Sequence, residues 1–211
     1  MHLWVFFCDI LGLFIGFLIF AWYNTIGGFM RIIAGQFKGR KIKPVPGTMT
    51  RPTADKVKGA IFNVLGEKVI DAKILDLFAG TGNLTLEALS RGACFGTMIE
   101  KSKAARQVII ENVENMKVSE SVRLLGIDSF SYLKQDNDEV FDLVFLDPPY
   151  NQGLVHKALV ALAQPCRLSE HGVIVAETGS DEDIEPCYPF ELRKVNQYGD
   201  SKIWYFQRLD I

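Results

Sequence analysis

Metal-binding residue clusters are missing from this chain of 211 residues. Its cysteines form no CxxC pair, and its three histidines are dispersed, so no metal-site spacing is present and we expect no bound metal. Scattered, unpaired cysteines also indicate a reducing compartment, which predicts a cytoplasmic protein. The four cysteines are Cys8, Cys94, Cys166 and Cys187.

The chain also lacks internal repeats, low-complexity segments and a second long block of folded sequence. With 48% hydrophobic residues it can bury one sizeable core. We therefore expect one main domain, a small appendage and a monomer.

Charge is nearly absent from residues 1–29, where Asp9 is the single charged residue. The apolar run from Leu3 to Tyr23 has the length of a membrane-spanning helix, and the basic residues after it would then lie on the cytoplasmic side. No Lys or Arg precedes the run and no evident small-residue cleavage site follows it, which argues against a signal peptide. We favour a third interpretation, in which Met30 is the natural start and residues 1–29 come from a start codon assigned too far upstream.

Positive charge is concentrated in residues 31–58, which carry net +7, whereas residues 59–211 carry net -8 and the whole chain -2. A basic arm on an acidic body indicates a polyanionic partner, although a merely solvated basic hairpin remains the alternative. Apolar and basic positions alternate around Gly35 and Gly39, which predicts a short hairpin, and a helix is expected to follow from Thr50 or Thr53. The candidate phosphate-binding residues are Lys38, Arg40, Lys41, Arg51 and Lys56.

Strand and helix patterns alternate from Lys73 onward. Strands are predicted at 73–78, 95–99, 122–126, 141–146, 172–177, 189–196 and 202–208, and helices at about 83–91, 103–116, 129–134 and 154–163. This alternation, with strands rich in Val, Ile and Leu, predicts a Rossmann-like α/β fold with a mostly parallel, seven-stranded sheet. The last two strands are joined through Tyr198-Gly199-Asp200 without a helix, so an antiparallel hairpin should end the sheet. We predict three units: the apolar segment 1–29, a basic hairpin and helix at 30–66, and the main domain at 67–211.

Acidic residues end three successive predicted strands. Asp76 precedes a loop with Gly80 and Gly82, Glu100 follows the second strand, and Asp128 follows the third. A third glycine of the dinucleotide fingerprint is absent, and carboxylates would repel a pyrophosphate. An adenosine without phosphates fits better, with Glu100 on the ribose hydroxyls and Asp128 on the adenine amine, and S-adenosylmethionine is such a ligand. The predicted cofactor residues are Asp76, Phe78, Ala79, Gly80, Thr81, Gly82, Glu100 and Asp128.

A rigid Asp-Pro-Pro-Tyr turn follows the fourth predicted strand, at Asp147, Pro148, Pro149 and Tyr150. An amino group conjugated to a base is a poor nucleophile, and an enzyme must hold it by accepting hydrogen bonds from its N–H groups. Asp147 and the Pro148 carbonyl can accept such bonds, and the Tyr150 ring can stack on a base. We therefore predict that these four residues form the catalytic turn.

Residues 30–208 resemble the RsmD-type enzymes, which methylate guanine at its N2 amine in 16S ribosomal RNA. The resemblance rests on the segments at 31–35, 38–40, 51–57, 62–63, 76–82, 86–92, 147–150 and 198–200. The basic arm, the Arg-Pro-Thr segment at 51–53 and the helix at 86–92 are the more specific of these. The family usually has Arg-Glu where this chain has Lys58-Gly59, and a small residue at the position of Asn83.

The resemblance implies a class I methyltransferase that uses S-adenosylmethionine, binds ribosomal RNA of the small subunit or its assembly intermediate, and processes it by methylation. Two alternatives stay open. The same turn serves adenine N6 methylation of DNA, and a non-catalytic assembly factor could keep the fold for RNA binding. A protein glutamine methyltransferase is disfavoured because its turn resembles Asn-Pro-Pro-Tyr.

Overall fold

The computed structural model describes residues 30–46, 54–135 and 138–209. The strands are β1 (Met30–Arg31), β2 (Lys41–Ile42), β3 (Lys73–Asp76), β4 (Phe95–Ile99), β5 (Val122–Leu125), β6 (Phe141–Leu146), β7 (Leu168–Gly179), β8 (Phe190–Tyr198) and β9 (Ser201–Arg208). The α-helices are α1 (Ala54–Leu65), α2 (Asn83–Ser90), α3 (Lys103–Met116), α4 (Ser129–Leu133) and α5 (Leu154–Ala163).

Seven of the strands form one sheet in the order β5-β4-β3-β6-β7-β9-β8. The pairs from β5 through β7 are parallel, whereas β9 runs antiparallel to both β7 and β8. Tyr198 pairs with Ser201 across a tight turn, so the predicted closing hairpin is present. The prediction of a Rossmann-like, mostly parallel sheet that ends in an antiparallel hairpin is confirmed.

Helices cover both faces of this sheet because successive strand residues point to opposite sides. Leu75 packs on one face in a cluster with residues of α4 and α5, and Ile74 packs on the other face with residues of α1 and α2. Both residues are fully buried. The continuous apolar character of the parallel strands is explained by this two-sided burial. The carboxyl edge of the sheet is left for loops, and it is there that ligands bind in such folds.

The basic hairpin predicted near the start of the domain is also present. Strands β1 and β2 pair antiparallel, with Met30 opposite Ile42. Ile32 and Ile42 are fully buried in a third apolar cluster, where they contact residues of α2 and α3. The hairpin is thus anchored to the main domain by its apolar side, while its basic residues remain outside. The division of the chain into units at residues 30–66 and 67–211 stays a prediction.

Several predicted features lie outside the described residues, including the apolar segment 1–29, the helix-capping Thr50 and Thr53, and Arg51. Within residues 30–46, 54–135 and 138–209, no helix has the length and apolar character needed to cross a membrane. In the same part of the chain, His, Cys, Asp and Glu side chains form no group of three or more that could hold a metal ion.

Candidate active site

A cavity of about 630 Å³ opens at the carboxyl edge of the sheet, between the ends of β3 and β6. These strands are adjacent and parallel, with Asp76 opposite Phe145, so the loops that follow them meet at one place. Nine of the residues predicted from sequence line this cavity together: Asp76, Phe78, Ala79, Gly80, Thr81, Asp147, Pro148, Pro149 and Tyr150. The loop predicted to bind the cofactor and the Asp-Pro-Pro-Tyr turn therefore share a single cavity.

The loop after β3 turns tightly into helix α2. Gly82 has φ +76° and immediately precedes the helix, a left-handed conformation that glycine adopts without strain. A Cβ atom at Gly82 would lie 3.1 Å from the Met98 sulfur, so the position is also closely packed. Gly82 has no side chain that could cap α2, and the Asp76 carboxyl accepts a hydrogen bond from the Thr85 backbone N–H in the first turn of the helix. Gly82 thus shapes the loop without itself lining the cavity.

Asp76 is buried at the end of β3, where its Oδ2 accepts a hydrogen bond from Thr85 Oγ1 at 3.0 Å. Burial raises the pKa of this carboxyl to about 7, against the opposing effect of the Thr85 bond. The cavity therefore contains a carboxyl group that titrates near neutral pH, and a cationic ligand group close to it would favour its ionised form.

The raised pKa of Asp76 predicts a stability difference from the isosteric variant Asp76→Asn. An unfolded Asp ionises near pH 4, whereas the folded group ionises near pH 7, so between these values the unfolded state binds fewer protons. The free energy of unfolding of the wild type, relative to Asp76→Asn, should therefore fall as pH rises from about 4 to about 7 and stay level above. Urea unfolding of both proteins at half-unit pH steps measures this, and a difference that does not change with pH would contradict it.

The other two acids of the predicted cofactor set lie outside the cavity lining. Glu100 accepts hydrogen bonds from the backbone N–H of Gly80 at 2.9 Å and of Ser102 at 2.8 Å, so it braces the loop after β3. Asp128 is exposed and caps α4 by accepting from the N–H groups of Phe130 and Ser131. Their contacts with a ribose and an adenine stay predictions.

The Asp-Pro-Pro-Tyr turn presents alternating exposed and buried residues. Asp147 and Pro149 are exposed, Pro148 is buried, and Tyr150 is half-buried. The Tyr150 hydroxyl donates to Glu177 Oε1 at 2.6 Å and lies 3.0 Å from Ser201 Oγ. The aromatic ring is therefore held in one orientation at the cavity wall.

The described candidates for phosphate binding are exposed. Lys38, Arg40 and Lys41 lie in or beside the hairpin, and Lys56 lies in the first turn of α1. Arg40 donates to the backbone oxygen of Asn115 at 2.8 Å, and its guanidinium lies 5.2 Å from the Phe37 ring centre. Positive charge thus stands on the surface of the arm, next to the cavity that Met30 helps to line.

Glu87 connects the hairpin to the main domain from a fully buried position on α2. Its carboxylate accepts the backbone N–H groups of Ile33 at 2.7 Å and Ala34 at 3.1 Å. It also pairs with Lys58 at 3.2 Å and Arg91 at 2.8 Å. Four donors therefore converge on one side chain, which sequence analysis had placed only within a family-specific helix.

Lys58 is the second side chain that connects the hairpin to the main domain. It is buried although it belongs to the basic segment. Its ammonium donates to the Arg31 backbone oxygen at 2.5 Å and to Asn83 Oδ1 at 2.6 Å. Burial lowers the pKa of Lys58, and the Glu87 charge opposes that shift. Lys58 and Asn83, two of the positions that differ from the usual residues of the resembled family, are thus direct partners. At the third such position, Gly59, an added Cβ would meet no atom within 4 Å.

Comparison with known proteins places this geometry in a family. A family model described as "Conserved hypothetical protein 95" matches residues 30–207. The ribosomal RNA small subunit methyltransferase D of Escherichia coli is 39% identical over 184 residues, which cover 86% of this chain and 91% of the relative. The chain belongs to the RsmD-type family.

Solved structures agree with the RsmD-type assignment. A candidate methyltransferase of Escherichia coli superposes with a TM-score of 0.77 at 35% identity, and the match covers 86% of this chain and 98% of that one. A candidate methylase of Haemophilus influenzae gives 0.75 at 32% identity, with 87% and 100% covered. Residues 30–207 of this RsmD-type chain are thus matched, and the segment before Met30 is outside the family model.

Sequence analysis missed the part of the cavity lining that comes from β7 and the closing hairpin. These residues are Glu177, Tyr198, Asp200 and Ser201. Glu177 lies near the end of β7, where it continues the series of acids that end successive strands. Its position at a strand end could therefore have predicted from sequence that Glu177 belongs to the site. Tyr198 and Asp200 had been noted only as parts of a turn, and nothing in their spacing indicated that the closing hairpin folds back onto the cavity.

Proposed function

We propose that this protein transfers a methyl group from S-adenosylmethionine to the exocyclic N2 amine of a guanine in 16S ribosomal RNA. One observation carries the proposal: the loop after β3 and the Asp-Pro-Pro-Tyr turn line the same cavity. A methyl donor and an amine could therefore meet there. The name of the Escherichia coli relative, a ribosomal RNA small subunit methyltransferase, supports the substrate class.

The cavity suits S-adenosylmethionine in size and chemistry. Its volume of about 630 Å³ lies within the usual range for small-molecule sites. Its lining combines apolar side chains such as Phe78 and Leu84 with the carboxyl of Asp76. Asp76 and residues 78–81 would hold the cofactor, with Glu100 bracing Gly80.

When bound, the cofactor supplies an electrophilic methyl group on a sulfonium. Asp147 and the Pro148 carbonyl accept hydrogen bonds from the target amine and so direct its lone pair into the cavity. Tyr150, held at its hydroxyl, stacks against the base. Asp147 or water receives the proton that leaves the amine. Positioning accounts for most of the rate gain, and the target base must be unpaired or flipped from its helix to enter.

The basic arm supports an RNA substrate. Lys38, Arg40, Lys41 and Lys56 are exposed in the structure, and Arg51 stays a prediction because it lies outside the described residues. Such side chains grip phosphates without reading sequence. The hairpin adjoins the cavity through Met30, so RNA held on the arm would lie next to the catalytic turn.

The test is transfer of radiolabelled methyl from S-adenosylmethionine by the full chain to small ribosomal subunits from a strain without the enzyme, followed by nucleoside analysis. Label in N2-methylguanosine is the expected result. Label in N6-methyladenosine would move the assignment to adenine. No label, with cofactor binding shown by calorimetry, would favour a non-catalytic role in assembly.

A further inference from the structure

Glu177 stands beside the catalytic turn at the carboxyl edge of the sheet. Strands β6 and β7 are parallel with Leu146 opposite Ala176, so Asp147 and Glu177 each follow a paired residue on neighbouring strands. Both residues line the cavity. Two carboxylates from adjacent strands therefore face one binding volume, and the proposed mechanism uses only Asp147.

One oxygen of Glu177 is already engaged. The Tyr150 hydroxyl donates its proton to Glu177 Oε1 at 2.6 Å, so the contact of 3.0 Å with Ser201 must have the serine as donor. Burial, followed by this bond to Glu177, raises the pKa of Tyr150, so the phenol stays protonated and remains the donor. Glu177 thus keeps its second oxygen, Oε2, as an acceptor.

No cation neutralises Glu177 among the ion pairs of the described residues. The ammonium of Lys58, which also lines the cavity, is already shared between the Arg31 backbone oxygen, Asn83 and Glu87. A half-buried carboxylate in a binding cavity, without a cation, is suited to accept an N–H group from a ligand.

Guanine offers such a group next to its amine. On its Watson–Crick edge the N1–H lies beside the N2 amine, and both are donors, whereas the N1 of adenine has a lone pair. A carboxylate next to the amine acceptor Asp147 would therefore bind guanine and repel adenine. We propose that Glu177 selects guanine by accepting its N1–H while Asp147 holds the N2 amine. This inference rests on the proposed function and names the specificity-determining residue of the same site.

The experiment compares guanine with 2-aminopurine, which keeps the amine but has a lone pair at N1. Small subunits are reconstituted with 16S RNA carrying either base at the position that the wild type labels. We expect the wild type to prefer guanine by at least about 100-fold in kcat/KM, since a site built around a hydrogen bond rejects analogues that lack the group. Wild-type methylation of both bases at similar rates would overturn the proposal, whatever any variant does.

Glu177→Gln sharpens the test, because its carbonyl can still accept from Tyr150 while its amide N–H faces the base. This variant should lose about 100-fold on guanine, and its preference for guanine over 2-aminopurine should fall below about 10-fold. An equal loss on both bases would show that Glu177 only holds Tyr150, and would refute a role in selection.

Tyr150→Phe and Ser201→Ala are the matched controls, since each removes a contact around the phenol but leaves the carboxylate. They should slow transfer to both bases by the same factor and keep the preference for guanine. Glu177→Gln should bind the cofactor with the same affinity as the wild type, which calorimetry measures. If the wild type labels no guanine in any subunit, the proposed function has failed, which is a different result from an unselective but active enzyme.

Discussion

Replacing Asp147 with alanine will lower kcat for methyl transfer by about 100- to 1000-fold, a range typical for loss of one positioned acceptor or donor at a reacting group. Asp147 is exposed at the cavity, directly after β6, and in the proposed mechanism it is the acceptor that orients the amine. Single-turnover transfer of labelled methyl to small subunits measures the effect. Cofactor affinity should change little, because the loop that we propose holds the cofactor follows another strand, β3.

Asp147→Asn provides the matched comparison. Its carbonyl can still accept one hydrogen bond from the amine, so this variant should retain more activity than Asp147→Ala. Thermal unfolding of both variants checks that the turn still folds. Equal activity of the wild type and Asp147→Ala, with label in the same nucleoside, would remove this residue from the mechanism.

Replacing Glu87 with alanine will destabilise the protein by about 3 to 5 kcal/mol, the usual cost of removing one partner from a buried charged pair. The side chain is fully buried and accepts from Ile33, Ala34, Lys58 and Arg91, so its loss leaves four donors without their acceptor. For a domain of this size the midpoint of thermal unfolding should fall by roughly 6 to 20 °C. Differential scanning calorimetry measures both quantities.

Glu111→Ala is the control for Glu87→Ala. Glu111 also pairs with the N-terminal arm, through Lys43 at 2.8 Å, but both of these side chains are substantially exposed. Its removal should cost less than about 1 kcal/mol. A similar small loss for Glu87→Ala would mean that the hairpin is held mainly by its apolar contacts at Ile32 and Ile42.

Much of the fold could be predicted because local pattern and tertiary structure agree. Strands β4 and β6 and helices α3 and α5 have the predicted bounds. Most other bounds differ by one or two residues, and the largest difference is at β7, which is predicted at 172–177 but extends from Leu168 to Gly179. Its first part contains the polar residues Ser169, Glu170 and His171, and its pairing with β6 is irregular between Phe141 and Leu143. Polar residues at an irregular strand end look like a loop in sequence.

The site was predictable only where residues are close in sequence. Asp147 to Tyr150 and the loop from Phe78 to Thr81 are continuous segments, and sequence patterns show them directly. The cofactor contacts of Glu100 and Asp128 stay predictions, whereas the bonds of their carboxylates to backbone N–H groups are long-range or local details that no spacing rule reveals. Lys58 was counted in the net charge of residues 31–58, and its burial is explained by partners 25 to 29 residues away.

The two walls of the cavity come from strands that are neighbours in the sheet but distant along the chain. The backbone N–H of Lys73, at the start of β3, donates to the Asp142 carboxylate, 69 residues later. Closing so long a loop costs entropy before the pairing can stabilise it, and pairings of this kind slow folding. The loop after β3 can form once its near neighbours β4 and α2 are in place. The wall formed by the Asp-Pro-Pro-Tyr turn can form only after β6 has paired with β3. During refolding, catalytic competence should therefore appear later than helical structure.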